Sequence, residues 1–132
     1  MASPQNARPL SPHVGIYRWQ ITNTLSILHR LTGVALSVGT LFLVAWLWAA
    51  AYNGEYFLMW REFFGSFIGQ LMLFGWSAAF YYHLGNGIRH LLWDTGWGFD
   101  LGCVKRTGIV SVTISTLLTL GTWGYILSQG GY

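Results

Sequence analysis

The chain has 132 residues, of which 53% are hydrophobic and only 8% are charged. Soluble domains carry about 25% charged residues, so this composition excludes an independent soluble domain and indicates an integral membrane protein. Seven basic against four acidic side chains give a net charge of +3, which is too small and too dispersed for a nucleic-acid-binding surface.

The first 21 residues contain Pro4, Pro9 and Pro12. Proline removes a backbone donor and disrupts the interior of a helix. Residues 1–21 are therefore predicted to form an irregular or interfacial arm, which packs on the positively charged side of the membrane.

Three apolar segments follow the arm, and each is long enough to cross a bilayer, which takes about 20 helical residues. The predicted spans cover about residues 24–52, 63–93 and 107–127. Residues 53–61 are expected to form a short, aromatic-rich outer connection, and residues 94–106 a polar loop. The predicted fold is all-α, with three transmembrane helices that form part of a bundle with a partner subunit.

The basic residues predict the orientation of these spans. Six of the seven fall on the amino-terminal side of the membrane, and only Arg61 falls on the other. Cytoplasmic loops are enriched in Lys and Arg. The amino end is therefore predicted to lie in the cytoplasm or the mitochondrial matrix.

His83 stands deep inside the second apolar segment, where an ionisable side chain marks a functional site by default. On a helix, His83, Gly87 and His90 share one face, with a glycine between two imidazoles where a flat group can approach. His83 lies roughly 9 Å deeper than Arg89 along the axis. This depth suits a buried haem, whose iron takes an axial imidazole.

A second axial ligand is not evident in this chain. His90 is about 10 Å further along the same helix, and His29 and His13 are expected to be too shallow. A haem held by His83 is therefore expected to take its other ligand from another chain. The alternative is a neutral histidine that forms a hydrogen bond with a neighbouring helix.

Two distant stretches are expected to meet at the inner rim of the membrane, because the first helix leaves that surface and the second returns to it. Arg30 has forked donors for a carboxylate or a quinone oxygen, and Ser26 adds a hydroxyl one turn earlier. The alternative is a snorkelling arginine with a helix-capping serine. The predicted rim consists of Ser26, His29, Arg30, Arg89, His90 and Asp94.

Three motifs resemble those of one known family. They are Arg8-Pro9-Leu10-Ser11-Pro12-His13, Ser26-Ile27-Leu28-His29-Arg30-Leu31-Thr32-Gly33 and His83-Leu84-Gly85-Asn86-Gly87-Ile88-Arg89-His90-Leu91-Leu92-Trp93-Asp94. Together they are similar to the motifs of the larger cytochrome b membrane-anchor subunits of succinate dehydrogenase, respiratory complex II. The resemblance covers nearly the whole chain in order.

This resemblance implies a four-subunit enzyme of the tricarboxylic acid cycle and of respiratory electron transport. In that family a flavoprotein subunit oxidises succinate and an iron–sulfur subunit relays the electrons. Two anchor subunits embedded in membrane lipid then form the site for ubiquinone or menaquinone and share haem b. The arm over residues 8–17 would contact the iron–sulfur subunit.

The resemblance also implies roles for individual residues. Ser26 and Arg30, with Ile27 beside them, match the quinone-binding positions, and His83 matches an axial haem ligand whose counterpart comes from the smaller anchor subunit. His29, Arg30, Arg89 and His90 are candidates for contacts with the haem propionates, and Asp94 for pairing at the same rim.

Two other functions stay open from the residues alone: an anchor of a quinol:fumarate reductase, and a purely structural anchor without redox chemistry. A small transporter is disfavoured because the spans carry no acidic residue at mid-depth. The expected location is a bacterial cytoplasmic membrane, with the mitochondrial inner membrane as the alternative.

Overall fold

The computed structural model describes residues 16–130. This part of the chain is all-α and contains four helices, α1 (Ile21–Tyr52), α2 (Gly54–Gly65), α3 (Phe67–Asp94) and α4 (Leu101–Ser128). The predicted fold class is confirmed. Residues 16–20 precede α1 without regular structure, whereas the rest of the predicted arm, with His13, lies outside the described residues.

Helix α1 has 32 residues, which gives it a length of roughly 48 Å, more than the hydrocarbon core of about 30 Å. Its hydroxyl side chains bond to the carbonyl oxygens one turn earlier, as Ser37 does to Gly33 at 2.9 Å and Thr40 to Leu36 at 2.8 Å. This back-bonding satisfies polar side chains within an apolar helix.

The predicted second span is divided by a break at Ser66, and α2 and α3 meet there at 82°. The Ser66 backbone is extended, and its side chain accepts a hydrogen bond from the Gly69 amide, so Ser66 caps a new helix. Gly69 lies so close to the Phe63 carbonyl that a β-carbon would collide with it. The segment predicted as an outer connection, residues 53–61, is helical from Gly54 onward.

Helices α1 and α4 are each long and apolar enough to cross a membrane, and α3 becomes a third candidate when it is taken together with α2. The described chain therefore has two or three candidate spans. The predicted polar loop over residues 94–106 is shorter in the structure because Asp100 caps α4, accepting a hydrogen bond from the Cys103 amide at 2.8 Å.

Helix α3 packs against both α1 and α4. The only buried hydrophobic residues among those described are Leu25 and Ala49, whereas long apolar side chains cover the outside. The buried positions are mostly small or polar: Gly69, Asn86, Arg89, Gly108, Ser111, Ser115 and Thr119. Small and polar contacts between helices, with apolar residues facing outward, are typical of membrane bundles.

Candidate functional site

Three imidazole rings gather between α1 and α3, and we call them the histidine cluster: His29, His83 and His90. The His29 and His83 ring centroids are 4.0 Å apart and nearly parallel, with 10° between their planes. The His90 ring lies 5.0 Å from the His29 ring. His29, on α1, therefore connects the two α3 histidines that the sequence places on one face.

The ring of His83 has a defined orientation because one of its nitrogens is bonded to α1. Its Nδ1 lies 3.1 Å from the His29 carbonyl oxygen and 3.3 Å from the Thr32 hydroxyl oxygen. A carbonyl oxygen only accepts, so Nδ1 carries the hydrogen and donates it. Nε2 of the neutral ring is then the acceptor, and it makes no hydrogen bond to the described residues.

Thr32 and Gly33 of α1 form the surface against which the His83 ring packs. The Thr32 hydroxyl bonds to the carbonyl oxygens of Leu28 and His29 at 2.8 and 2.9 Å. A β-carbon at Gly33 would lie 3.0 Å from Cε1 of His83. The absence of a side chain at Gly33 thus lets the imidazole approach the α1 backbone.

The structure corrects the expected depth of His29. Counting residues along the helices suggests that His29 is too shallow to meet His83, but their rings are stacked. A count of residues gives the depth of the backbone along each helix, whereas the two side chains span the distance that remains between the rings. The His29 ring therefore lies at the depth of the His83 ring and also close to the His90 ring.

The stacking nevertheless prevents His29 and His83 from binding opposite faces of one haem. Two imidazoles that bound one haem iron would approach it end-on through a nitrogen, from opposite faces of the macrocycle, so they could not be stacked face to face. The ring centroids are only 4.0 Å apart. The geometry of the described chain therefore agrees with a second axial ligand from elsewhere.

The cluster includes a polar atom with no bond of its own. His29 Nδ1 is buried, with no hydrogen-bond partner in the described chain. One turn before His29 on α1, the Leu25 carbonyl oxygen accepts a hydrogen bond from the Tyr82 hydroxyl at 2.9 Å, and this bond ties α3 to α1. Nearly all buried polar groups in proteins have partners, so the unpaired His29 nitrogen is a candidate contact for a group outside the described residues.

The Asn86 side chain is another unpaired polar group on α3. It is 1% exposed, and neither amide atom makes a hydrogen bond within the described residues. Next to His83, an added β-carbon at Gly87 would meet no atom within 4 Å. The glycine between His83 and His90 therefore borders open space, as the sequence pattern predicts.

Arg89 does not join the histidine cluster. Its guanidinium group is buried between α3 and α4, where Nε donates to the Thr107 hydroxyl at 3.2 Å and a terminal nitrogen donates to the Val104 carbonyl oxygen at 2.9 Å. Its Cζ also lies 4.0 Å from the centre of the Trp93 ring. The arginine holds α4 against α3.

The remaining predicted rim residues lie near the amino-terminal end of α1 and at the carboxy-terminal end of α3. Ser26 is half-buried, whereas Ile27 and Arg30 are exposed. Asp94 is the last residue of α3; it is exposed and makes no bond to the described residues. Ser26 and Arg30 are one turn apart on α1, so they share one side of that helix.

Sequence reasoning missed the residues that orient His83, which are Thr32, Gly33 and the backbone of His29. A usable signal was present, because Thr32 follows His29 by three residues and a helical threonine bonds to the carbonyl oxygens three and four positions back. Tyr82 also went unassigned, although it adjoins His83.

Comparison with known proteins identifies the family of the chain. The family model described as "Succinate dehydrogenase/Fumarate reductase transmembrane subunit" matches residues 4–122. This match includes all four described helices up to the last turns of α4, together with every residue of the histidine cluster.

Several curated proteins are similar over most of the chain. A succinate dehydrogenase cytochrome b556 subunit of Rickettsia felis is 47% identical over 118 residues, which are 89% of this chain and 92% of the relative. The Rickettsia typhi protein of the same name is 48% identical over the same shares. A mitochondrial succinate dehydrogenase cytochrome b560 subunit of Sus scrofa is 39% identical over 86% of this chain and 69% of the relative. The chain thus belongs to the succinate dehydrogenase/fumarate reductase transmembrane subunit family, among the succinate dehydrogenase cytochrome b subunits.

Proposed function

We propose that the chain is the larger membrane anchor of a succinate:ubiquinone oxidoreductase, in which it holds haem b through His83 and contributes Ser26, Ile27 and Arg30 to the quinone site. It is not catalytic on its own. The observation that carries the proposal is the state of the His83 ring, whose Nδ1–H is bonded to the His29 carbonyl while Nε2 is left with its lone pair.

A metal-bound histidine usually donates its other ring N–H to a carbonyl or carboxylate, which fixes the tautomer and raises the basicity of the ligand. His83 already has such a partner at 3.1 Å, and the open space beside Gly87 allows a flat group to approach. These residues fit a haem. When bound, haem b supplies a one-electron redox centre beside the route to quinone.

His29 and His90 are proposed to bind the haem propionates, because both rings are half-buried and belong to the same cluster as His83. Arg30, next to His29 in the sequence, is exposed. Its side chain makes no hydrogen bond to the described residues, so its donors are available to a propionate or a quinone oxygen. Arg89 supports the site indirectly, since its donors are engaged with Thr107 and Val104. We propose Asp94 as a surface contact at the same rim.

Ser26 and Arg30 are proposed to hold the quinone head group. A quinone oxygen gains negative charge as electrons arrive, and donors aimed at that oxygen stabilise the charge. The guanidinium group of Arg30 supplies charged donors, the Ser26 hydroxyl supplies a neutral one, and the exposed Ile27 offers apolar contact for the ring. The half-buried position of Ser26 allows it to receive a ligand that enters from the membrane.

The assembly that completes this site contains a smaller anchor subunit, an iron–sulfur subunit and a flavoprotein subunit. The stacked His29 and His83 rings support a second axial ligand from the smaller anchor. The long apolar side chains that cover the helices support contact with that subunit and with membrane lipid. The distribution of basic residues supports a cytoplasmic amino end in a bacterial membrane, or a matrix one in mitochondria.

An optical spectrum of the purified complex, recorded before and after succinate is added, tests this function. We expect a b-type spectrum and a reduction of added ubiquinone that depends on succinate. A complex without b-type absorbance and without quinone dependence would instead identify a purely structural anchor. Faster fumarate reduction by quinol than succinate oxidation would identify a fumarate reductase.

A further inference from the structure

A large apolar cleft lies between α1 and α3 at the outer end of the molecule, covered by α2, and we call it the outer cleft. Its volume is about 1160 Å³, and its walls include Ala35 and Phe42 of α1 and Gly75 and Ala79 of α3. This volume exceeds the roughly 300–1,000 Å³ of most small-molecule pockets. It is separate from the histidine cluster.

The length of the outer cleft matches one leaflet of a bilayer. Its α1 wall extends from Ala35 to Trp46, a distance of roughly 16 Å at the helical rise. The hydrocarbon core of a membrane is about 30 Å thick. On α3 the cleft ends at Ala79, one turn before His83, so it spans the outer half of the membrane and stops where the histidine cluster begins.

The lining of the cleft includes a cation that has no ion-pair partner among residues 16–130. Arg61, on α2, lines the cleft, and it is the only basic residue between Arg30 and Arg89 in the sequence. The acidic residues of α2 are Glu55, six positions earlier, and Glu62, the next residue. Neither stands three or four positions from Arg61, the spacings that pair side chains on a helix.

The deep part of the cleft lacks the polar groups that a quinone head requires. Between Ala35 and Leu43 on α1, and between Met72 and Ala79 on α3, Trp76 Nε1 is the only polar side-chain atom in the lining. It is buried against Gly39 and has no partner in the described chain. Two quinone oxygens would stay unpaired there, which is costly, whereas an acyl chain requires no donors.

We propose that the outer cleft binds a phospholipid of the outer leaflet, with an acyl chain between α1 and α3 and the phosphate at Arg61. Arginine forms charge-assisted hydrogen bonds with phosphate. Tyr56 and Trp60, which also line the cleft, then stand at the level of the head group, where aromatic side chains are enriched. Helix α2 acts as the lid that keeps the lipid in place.

Lipid retention by the assembled complex tests this proposal. The complex is purified in mild detergent, washed, and analysed by native mass spectrometry and by its phosphorus content. Gly75→Leu should displace one tightly bound phospholipid per complex, because a β-carbon at Gly75 meets no protein atom and the side chain enters the cleft. Gly121→Leu on α4, where a β-carbon also meets nothing, should retain that lipid.

Arg61→Gln provides a second variant, which leaves the helices intact because its side chain is exposed. It should weaken retention of the phospholipid several-fold, whereas the matched Arg106→Gln change at the inner end should not. Equal lipid retention by the wild type, Gly75→Leu and Arg61→Gln would overturn the proposal. So would a displaced molecule with the mass of a quinone, or a disulfide crosslink from Gly75→Cys to a partner subunit.

Discussion

Helix α3 packs against α4 on one side and against α1 on the other, and the two interfaces differ in how many of their polar side-chain atoms are hydrogen-bonded. Against α4, Arg89 bonds to Thr107 and Val104, the Ser115 hydroxyl bonds to the Tyr81 carbonyl oxygen, and the Trp123 indole bonds to the Ser77 hydroxyl. The Ser111 hydroxyl of α4 is buried without a partner among the described residues.

Against α1, the Tyr82 hydroxyl bonds to the Leu25 carbonyl oxygen and the remaining bonds orient the His83 ring, while the atoms suited to a ligand have no partner among the described residues. His83 donates a hydrogen bond through Nδ1, and its Nε2 has no bond to the described residues. The buried Nδ1 of His29 also has no partner among them. Buried polar groups that are paired mainly hold helices together, and those left unpaired require an explanation. We therefore expect substitutions on the α4 side to change stability and those on the α1 side to change ligand binding.

The largest difference between the two sides should follow from removal of His83. His83→Ala should abolish haem binding, since the only proposed ligand atom in this chain is lost. His90→Ala should retain haem with a perturbed spectrum, because that ring lies beyond His29. Haem content measured by pyridine haemochrome, relative to the amount of protein, tests both variants. Normal haem in His83→Ala would place the ligand elsewhere.

Substitutions at the quinone-binding residues should impair turnover without loss of haem. Arg30→Leu and Ser26→Ala should each lower the rate of succinate:quinone reduction about tenfold, corresponding to about 1.4 kcal/mol of lost stabilisation. Succinate oxidation by a soluble dye, which does not need the anchor, should be unchanged. Unaltered quinone reduction in both variants would remove these residues from the site.

On the α4 side, Arg89→Leu should lower stability rather than alter the site directly. The change removes the two hydrogen bonds that Arg89 donates to Thr107 and Val104, and a hydrogen bond from a charged group contributes about 1.5–3 kcal/mol. The temperature midpoint of denaturation should fall, while the b-type spectrum stays normal below it. Arg106→Leu, at an exposed position, serves as the control. Haem loss from folded Arg89→Leu would show that Arg89 acts on the haem itself.

The smallest effect should come from Gly33→Ala. The added β-carbon, 3.0 Å from His83 Cε1, requires the ring to shift by a few tenths of an ångström. Haem should stay bound, with shifted low-spin electron paramagnetic resonance signals. Gly121→Ala adds the same group in open space and should leave the signals unchanged. Identical spectra for Gly33→Ala and the wild type would mean that the ring does not rest on α1.

Sequence alone was sufficient for the apolar helices, because hydrophobicity is a strong signal, and it made His83 the main candidate because an ionisable side chain inside hydrocarbon is rare. It did not reveal the break at Ser66. The apolar run continues across Gly65 and Ser66, and the bend depends on the close approach of Gly69 to the Phe63 carbonyl. That contact is tertiary and leaves no periodic pattern.

Helix geometry alone predicts that Arg89 lies on a different side of α3 from His83. Six residues separate it from His83, a rotation of about 240° at 3.6 residues per turn, so the two side chains point to different sides of α3. His90, seven residues from His83, returns to the same side. The depth of the His29 ring, by contrast, depends on how α1 and α3 pack against each other. Counting residues along each helix cannot give this depth.

Chemical rescue of His83 tests the central claim most directly. In His83→Gly the imidazole is removed and a cavity takes its place, so the purified complex should lack b-type absorbance. Added haem together with free imidazole should restore a low-spin b-type spectrum, and haem alone should not. A normal spectrum in His83→Gly without imidazole would contradict the assignment of His83 Nε2 as the iron ligand.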